Sequence, residues 1–246
     1  MEVLITSLAD RPDLAALLDQ FSDNWPEFMY HDAVSRLLYE ELAVAYPQHC
    51  LIALAGSAPV ARAFSIPFAW AGDPATGLPT GGHDAVIVRA AADRLAGRPA
   101  NLVAAVEVTV QADRRGTGLS ARMLDALRRH TARLGYRSLV VPVRPNRKHE
   151  YPELPMTRYA RWTGDDGLPV DPWLRVHVRA GGRVVGVAPT STTIAGSLAD
   201  WRAWTGLPFD ATGPVRVPGA LVPVHSDVDQ DVAVYVEPNV WVHHAL

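Results

Sequence analysis

Residues 106–120 read VEVTVQADRRGTGLS, and this stretch decides the fold of the chain. It begins as an apolar strand that ends at Val110 and continues as a polar turn. Gly116 and Gly118 stand where a long helix begins, since apolar residues recur at helical spacing over Leu119–Leu134. Glycines let the backbone of such a turn approach a ligand closely, and the first N–H groups of a helix have no partner within it. With the positive end of the helix dipole, they predict a site for a phosphate or pyrophosphate.

Other interpretations of this turn fit the residues less well. A Walker loop ends in Gly-Lys-Ser/Thr, which the chain does not contain. A Rossmann fingerprint requires a third glycine where Ala121 stands, and no early βαβ unit precedes it. A strand–helix turn that holds two glycines for structural reasons alone is the other alternative. The complete strand–Arg-Gly-x-Gly-Leu–helix context in mid-chain favours the anion site.

This motif resembles the acetyl-CoA-binding motif of the GNAT superfamily of N-acetyltransferases. The matching residues are Val108, Val110, Asp113, Arg115, Gly116, Gly118 and Leu119. The similarity continues through a predicted strand at Ser138–Val143 and Asn146 after it. It is looser at residues 176–182, where His177 stands at a position that is commonly tyrosine. The resemblance places the CoA-binding core at about residues 101–188.

The order of predicted elements is compatible with that family. Helical patterns at the start precede a hairpin, then a helix, the strand–turn–helix unit, and further strands with short helices between them. We therefore predict an α/β fold, GNAT-like, with a mixed central sheet flanked by helices. We expect a single domain over residues 1–246, enlarged by insertions at residues 72–100 and 147–170.

The resemblance also implies how acyl-CoA binds. The main chain of residues 108–110 pairs with the pantetheine arm, the amides of residues 115–120 hold the pyrophosphate, and the thioester lies where the next strand diverges. The expected CoA-binding residues are Val108, Thr109, Val110, Arg115, Gly116, Thr117, Gly118, Leu119, Ser120 and Asn146. The implied reaction is direct attack of an amine on the thioester, which requires a base for the amine proton and an acid for the leaving thiolate.

Four residues are candidates for that proton transfer. Glu107 is the only acid in the central strand, which makes it the candidate base, although a structural carboxylate is the alternative. Strand alternation directs Glu107 away from the face of Val108 and Val110, so its access to the cleft requires a bulge. The candidate acids are His177, Tyr151 and Tyr159, which could equally be packing residues. Aromatic residues that could line the acceptor pocket are Trp25, Phe28, Tyr30, Trp162 and Trp173.

Composition narrows the function further. The chain of 246 residues has a formal net charge of −3, and no basic run predicts a nucleic-acid partner. Its one cysteine, Cys50, excludes an internal disulfide and lies in an apolar run. We see no ligand set for a metal, no apolar segment of about 18 residues and no secretion signal, and therefore expect a cytoplasmic protein without a membrane partner.

These observations predict an acyltransferase that moves an acetyl or longer acyl group from acyl-CoA to the amine of a small molecule. Two alternatives stay open: a non-catalytic acyl-CoA-binding or regulatory protein, and a protein N-acetyltransferase. A homodimer is compatible with the sequence, which does not fix the oligomeric state.

Overall fold

A computed structural model describes residues 3–21 and 25–246, apart from the side chains of Glu40, Leu42 and Ala43. Within these residues, the strands are β1 Leu4–Ser7, β2 Cys50–Ala55, β3 Ala58–Phe68, β4 Leu102–Val110, β5 Ser138–Val143, β6 Arg183–Gly196, β7 Gly213–Val215, β8 Val224–Asp227 and β9 Val232–Ala245. The α-helices are α1 Ala33–Ala45, α2 Gly82–Leu95, α3 Leu119–Arg133, α4 Met156–Tyr159, α5 Pro172–Arg179 and α6 Leu198–Thr205. Short 3₁₀ helices cover Pro12–Gln20, Glu27–His31, Pro47–His49, Ala112–Arg114 and Lys148–Glu150.

All of these strands belong to one sheet. Its order is β1-β2-β3-β4-β5-β9-β8-β7, and β6 pairs with β9 outside this path. β4 and β5 are parallel, because α3 carries the chain back across the sheet between them, and the other pairs are antiparallel. β4 and β5 pair only at Val103↔Leu139 and Ala104↔Val140. Beyond these residues the two strands diverge and leave a cleft in the middle of the sheet.

Helices cover both faces of the sheet around that cleft. On one face, Met123 and Leu127 of α3 pack against Val103 and Leu139. On the other face, α2 packs its own apolar residues against the sheet; this cluster includes Val86, Ile87, Ala104 and Val140, all fully buried. Burial of several large apolar side chains on each face contributes roughly 1.5–3 kcal/mol per side chain. The predicted mixed sheet flanked by helices is thus confirmed.

The longest departures from the predicted elements lie near the C-terminus. The sequence predicts strands at Gly182–Ala188 and Asp231–Val242, whereas β6 extends to Gly196 and β9 to Ala245. β7 and β8 were not predicted, because three- and four-residue strands carry too little alternation to recognise. Asp171 caps α5 by accepting from the N–H groups of Trp173 and Leu174, as its sequence predicts.

Cys50 is buried, as the apolar run around it predicts. It is 2% exposed at the start of β2, and burial raises the pKa of its thiol to about 12. The thiol is therefore protonated at neutral pH and unsuited to nucleophilic attack.

In the described part of the chain, no helix combines the length and apolar character that a bilayer crossing requires.

Candidate active site

The turn between β4 and α3 has the geometry of an anion site. Gly116 and Gly118 adopt φ angles of +75° and +80°, which side chains other than glycine rarely tolerate. Gly118 is the N-cap of α3, and no side chain caps the helix. A Cβ atom on either glycine would meet no atom within 4 Å, so the surface above the turn is open. The N–H groups of the first turn of α3 thus face space that a phosphate can enter.

A cavity of about 1560 Å³ runs from this turn into the cleft between β4 and β5. Its wall near the turn includes eight of the predicted CoA-binding residues: Val108, Thr109, Val110, Arg115, Gly116, Leu119, Ser120 and Asn146. Thr117 and Gly118 belong to the same turn but do not line the cavity. The Thr117 hydroxyl donates to the carbonyl of Arg114 at 2.7 Å, which closes the turn.

Glu107 reaches the cavity through the predicted bulge. Phe64 pairs with Glu107 and Ser65 with Ala105, so Val106 is an extra residue in β4. The carboxylate is fully engaged with neighbouring side chains. Oε1 accepts from Arg62 Nε at 2.6 Å and from Thr109 Oγ1 at 2.7 Å, and Oε2 accepts from the hydroxyl of Tyr39. Burial and the charge of Glu107 raise the pKa of Tyr39 well above its usual value, so this hydroxyl stays protonated.

His177 lies outside the cavity, in a buried pair with His244. The ring atoms Nδ1 of His177 and Nε2 of His244 are 3.0 Å apart, and neither residue is exposed. Their outer nitrogens have no hydrogen-bond partner within the described residues. Burial is the largest cause that lowers both pKa values, that of His244 to about 4; His244 contributes further to the shift of His177, and Arg128 to that of His244. Two neutral imidazoles in the core have no access to a leaving thiolate.

The two candidate tyrosines also lie outside the cavity. Tyr159 is 2% exposed, and its hydroxyl donates to Asp171 at 3.0 Å. Burial and Asp171 raise the pKa of Tyr159, so its hydroxyl stays protonated in the hydrogen bond with Asp171. Tyr151 is partly exposed and packs against Tyr159 and Trp162. The structure therefore does not bring the predicted acids and Glu107 together.

The predicted aromatic residues divide between the cavity and the core. Trp25, Tyr30 and Trp173 line the cavity. Phe28 is 1% exposed and packs against Trp201 and Tyr235 instead. Trp162 lies on the surface.

The far end of the cavity consists largely of polar residues that the sequence analysis missed. These are Asp32, Arg36, His83, Arg144, Thr192, Glu237 and Asn239. Glu237 and Asn239 interrupt an otherwise apolar strand, VAVYVEPNVWV at residues 232–242, and this signal could have identified them. Asp32 and His83 follow no such local pattern.

Arg144 and Glu237 form an ion pair at the end of β5. Arg144 Nε lies 2.9 Å from Glu237 Oε2, and Arg144 Nη2 donates to the carbonyl of Gly219 at 2.7 Å. Tyr235 and Asn239 also donate to the Glu237 carboxylate. Burial alone would lower the pKa of Arg144, but Glu237 and Tyr235 together act in the opposite direction, and the net shift of this pKa is upward. The side chains of Arg144 and Glu237 are thus held in place by hydrogen-bond partners, and both form part of the cavity wall.

Asp32, His83 and Asp84 form a second charged group at this end. Each offers one polar atom, and these atoms lie within 4.8 Å of one another. Asp32 caps α1 through the N–H groups of Val34 and Ser35, which explains why a carboxylate stands at 3% exposure. Burial raises the pKa of Asp84, whereas its hydrogen bond with His83 acts in the opposite direction.

Comparison with known proteins adds to this geometry. The arginine N-acetyltransferase avaD of Aspergillus versicolor is 32% identical over 282 residues, which cover 98% of this chain and 93% of that protein. The loading GNATL domain of CurA from Lyngbya majuscula has a similar fold, with a TM-score of 0.61 at 16% identity, covering 100% and 98% of the two chains. The GphF GNAT-like decarboxylase in complex with isobutyryl-CoA has a TM-score of 0.54 at 20% identity, covering 100% and 99%. No family model matches the chain.

Proposed function

Because the chain belongs to the GNAT family of CoA-dependent N-acyltransferases, we propose that it transfers an acetyl group from acetyl-CoA to a nitrogen of arginine or a close cationic analogue. The observation that carries this proposal is one continuous cavity that joins an open helix N-terminus to a far wall with carboxylates.

The near end of the cavity suits CoA. We assign the pyrophosphate to the amides of residues 115–120, with the side chains of Arg114 and Arg115 beside it. The pantetheine arm then lies along residues 108–110 of β4, which do not pair with β5. An extended amide chain pairs readily with such an exposed strand edge. This arrangement supports a thioester position at the divergence of β4 and β5.

The far end of the cavity suits a cationic acceptor. Asp32 lines it, and Asp84 lies next to His83 in the same group. Glu237 already has Arg144 as a partner, so Asp32 provides negative charge on this wall, and Asp84 adds to it from behind His83. The curated relative is named for acting on arginine, whose guanidinium is always protonated at neutral pH. A carboxylate-bearing wall is the expected complement of that cation.

Other features of this proposal come from the sequence. We place the protein in the cytoplasm, with no nucleic-acid or membrane partner and no metal, and we treat residues 1–246 as one domain that can form a homodimer. We take acetyl as the acyl group because the relative is an acetyltransferase.

A pair of isosteric acceptors tests the proposed function. The purified protein is incubated with acetyl-CoA and either L-arginine or L-citrulline, which replaces the charged guanidinium by a neutral urea of the same length. We expect release of the free CoA thiol and formation of acetylarginine, identified by mass spectrometry, with much lower kcat/KM for citrulline. Fragmentation of the product locates the acetylated nitrogen. No thiol release with any amine would contradict transfer, and equal rates with both acceptors would contradict recognition of the cation.

A further inference from the structure

We propose that His83, oriented by Asp84, is the general base that removes a proton from the acceptor amine. This inference rests on the proposed function and names a residue for it. His83 is the second residue of α2, and its side chain forms part of the cavity wall at 19% exposure. It is thus a titratable group that is partly buried and faces the cavity.

The position of His83 is fixed by the sheet. Its backbone N–H donates to Ser191 Oγ at 2.9 Å, and Ser191 Oγ donates to Asn239 Oδ1 at 2.7 Å. Asn239 lines the cavity beside Val240, which pairs with Val143 at the end of β5. Gly82 permits this contact, because a Cβ atom there would stand 2.1 Å from Ser191 Oγ. The start of α2 is therefore attached to the wall of the cleft where the thioester is expected.

The contacts of His83 select the tautomer that a base needs. Nδ1 lies 3.2 Å from Asp84 Oδ1, and the other oxygen of Asp84 accepts from the N–H of Thr193 at 3.1 Å. A carboxylate accepts hydrogen bonds, so Nδ1 carries the proton and Nε2 carries the lone pair. Nε2 makes no hydrogen bond to any residue that the structure describes. The lone pair is thus available to a molecule in the cavity.

Two carboxylates lie close to the ring of His83. Asp84 lies on the same helix, and Asp32, at the start of α1, completes the group within 4.8 Å. β6 contributes the neutral Ser191 and the N–H of Thr193. The ring of His83 thus faces carboxylates on two elements and neutral groups on the third.

The carboxylate of Glu107, unlike Nε2 of His83, is already occupied by hydrogen-bond donors. Both of its oxygens accept hydrogen bonds from Arg62, Thr109 and Tyr39, and Arg62 is a permanent cation. These three donors occupy both carboxylate oxygens and fix their position. We therefore assign Glu107 to positioning and His83 to proton transfer.

The proton balance of the reaction gives His83 one defined step. A primary ammonium has three hydrogens on nitrogen and the amide product has one. His83 Nε2 accepts the first proton, directly or through one water, and frees the nitrogen lone pair to attack the thioester carbon. The C–N bond forms, the C–S bond breaks, and the thiolate leaves with the electron pair of that bond. The thiolate takes up the second proton, and His83 releases its own to solvent.

His83→Gln tests this step, with His225→Gln as the matched control on the exposed side of β8. We expect His83→Gln to lower kcat by roughly 10²- to 10⁴-fold, the usual contribution of a general base. The ascending limb of its pH–rate profile should disappear, while calorimetry gives an unchanged Kd for acetyl-CoA. His225→Gln should match the wild type in each measurement. A wild-type kcat for His83→Gln would overturn the proposal.

A second measurement does not require turnover. NMR of nitrogen-labelled histidine side chains should show the His83 proton on Nδ1 in the wild type and a shift toward Nε2 in Asp84→Asn. If the proton of wild-type His83 lies on Nε2, the proposed orientation of His83 by Asp84 is wrong. Loss of activity with a chelator, restored by a divalent cation, would also overturn it, since the three side chains would then be metal ligands. If the wild type acetylates no amine while the Nδ1 proton is present, the proposed function fails and the catalytic role fails with it, although the pair itself stands.

Discussion

At the scale of single residues, the charge on Glu107 is held by donors from three elements: Arg62 on β3, Thr109 on β4 and Tyr39 on α1. Only Thr109 is near in sequence. Arg62 and Tyr39 are 45 and 68 residues away, and sheet pairing and helix packing bring them to the carboxylate. The sequence therefore identifies an acid in an apolar strand but cannot distinguish a base from an ion-paired carboxylate.

Glu107→Gln distinguishes these two roles. The substitution keeps the shape of the side chain but leaves the cation of Arg62, whose side chain is 13% exposed, without its carboxylate. Breaking a buried pair in this way costs about 3 kcal/mol. We expect a lower free energy of unfolding, measured by urea denaturation, and a smaller loss of kcat than in His83→Gln. Glu41→Gln, at an exposed position of α1, should change stability by less than about 0.5 kcal/mol. A large loss of kcat at unchanged stability would restore Glu107 as the base.

At the scale of elements, the strand–turn–helix unit β4–α3 was predicted from sequence because its determinants are local. Strand composition, two glycines and helical periodicity all lie within residues 102–133. The same holds for most residues expected near CoA, which line the cavity. The far wall was not predictable in this way. His83 reaches it only because Gly82 and Ser191, 109 residues apart in sequence, come into contact.

Gly118→Val tests the turn, with Gly97→Val as its matched control. Both glycines have positive φ, +80° and +63°, and both have open space at the Cβ position. Each substitution should therefore cost a similar backbone strain of about 1–2 kcal/mol. Only Gly118 belongs to the predicted phosphate site, whereas Gly97 follows α2 on the surface. We expect calorimetry to show at least about tenfold weaker acetyl-CoA binding for Gly118→Val alone, equivalent to 1.4 kcal/mol. Equal affinities for the two variants would mean that the turn does not hold the pyrophosphate.

At the scale of the whole molecule, the sheet class was predictable but its path was not. The pattern of strands and helices indicated a mixed sheet, yet the place of β9 between β5 and β6 depends on pairings between distant segments. This packing also buries histidines that the sequence presents as ordinary polar residues. His49, His177 and His244 are each at most 2% exposed, on three separate elements. Their burial couples the stability of the fold to pH.

The direction of this coupling follows from the pKa shifts. Burial lowers the pKa of His49 and of His244 from 6.5 to about 4, and it lowers the pKa of His177 well below 6.5. Between these values the unfolded chain binds protons that the folded chain excludes, so stability is fully present above pH 6.5 and is lost as pH falls toward 4. We expect the free energy of unfolding, measured by urea denaturation at a series of pH values, to fall by a few kcal/mol across this window.

His177→Gln shows whether the buried imidazoles cause this loss. The variant should be less stable at neutral pH, because glutamine fits the pair with His244 less well. Since glutamine stays neutral at every pH, the variant should lose less stability on acidification. His225→Gln, on the exposed face of β8, should follow the wild-type curve. The comparison separates the effect of histidines from that of carboxylates. A carboxylate whose pKa is lowered by folding loses its stabilising contribution in a more acidic range, as pH falls from its unfolded pKa through its folded pKa. If His177→Gln and the wild type lose stability in parallel between pH 6.5 and 4, the acid sensitivity of the fold does not come from His177.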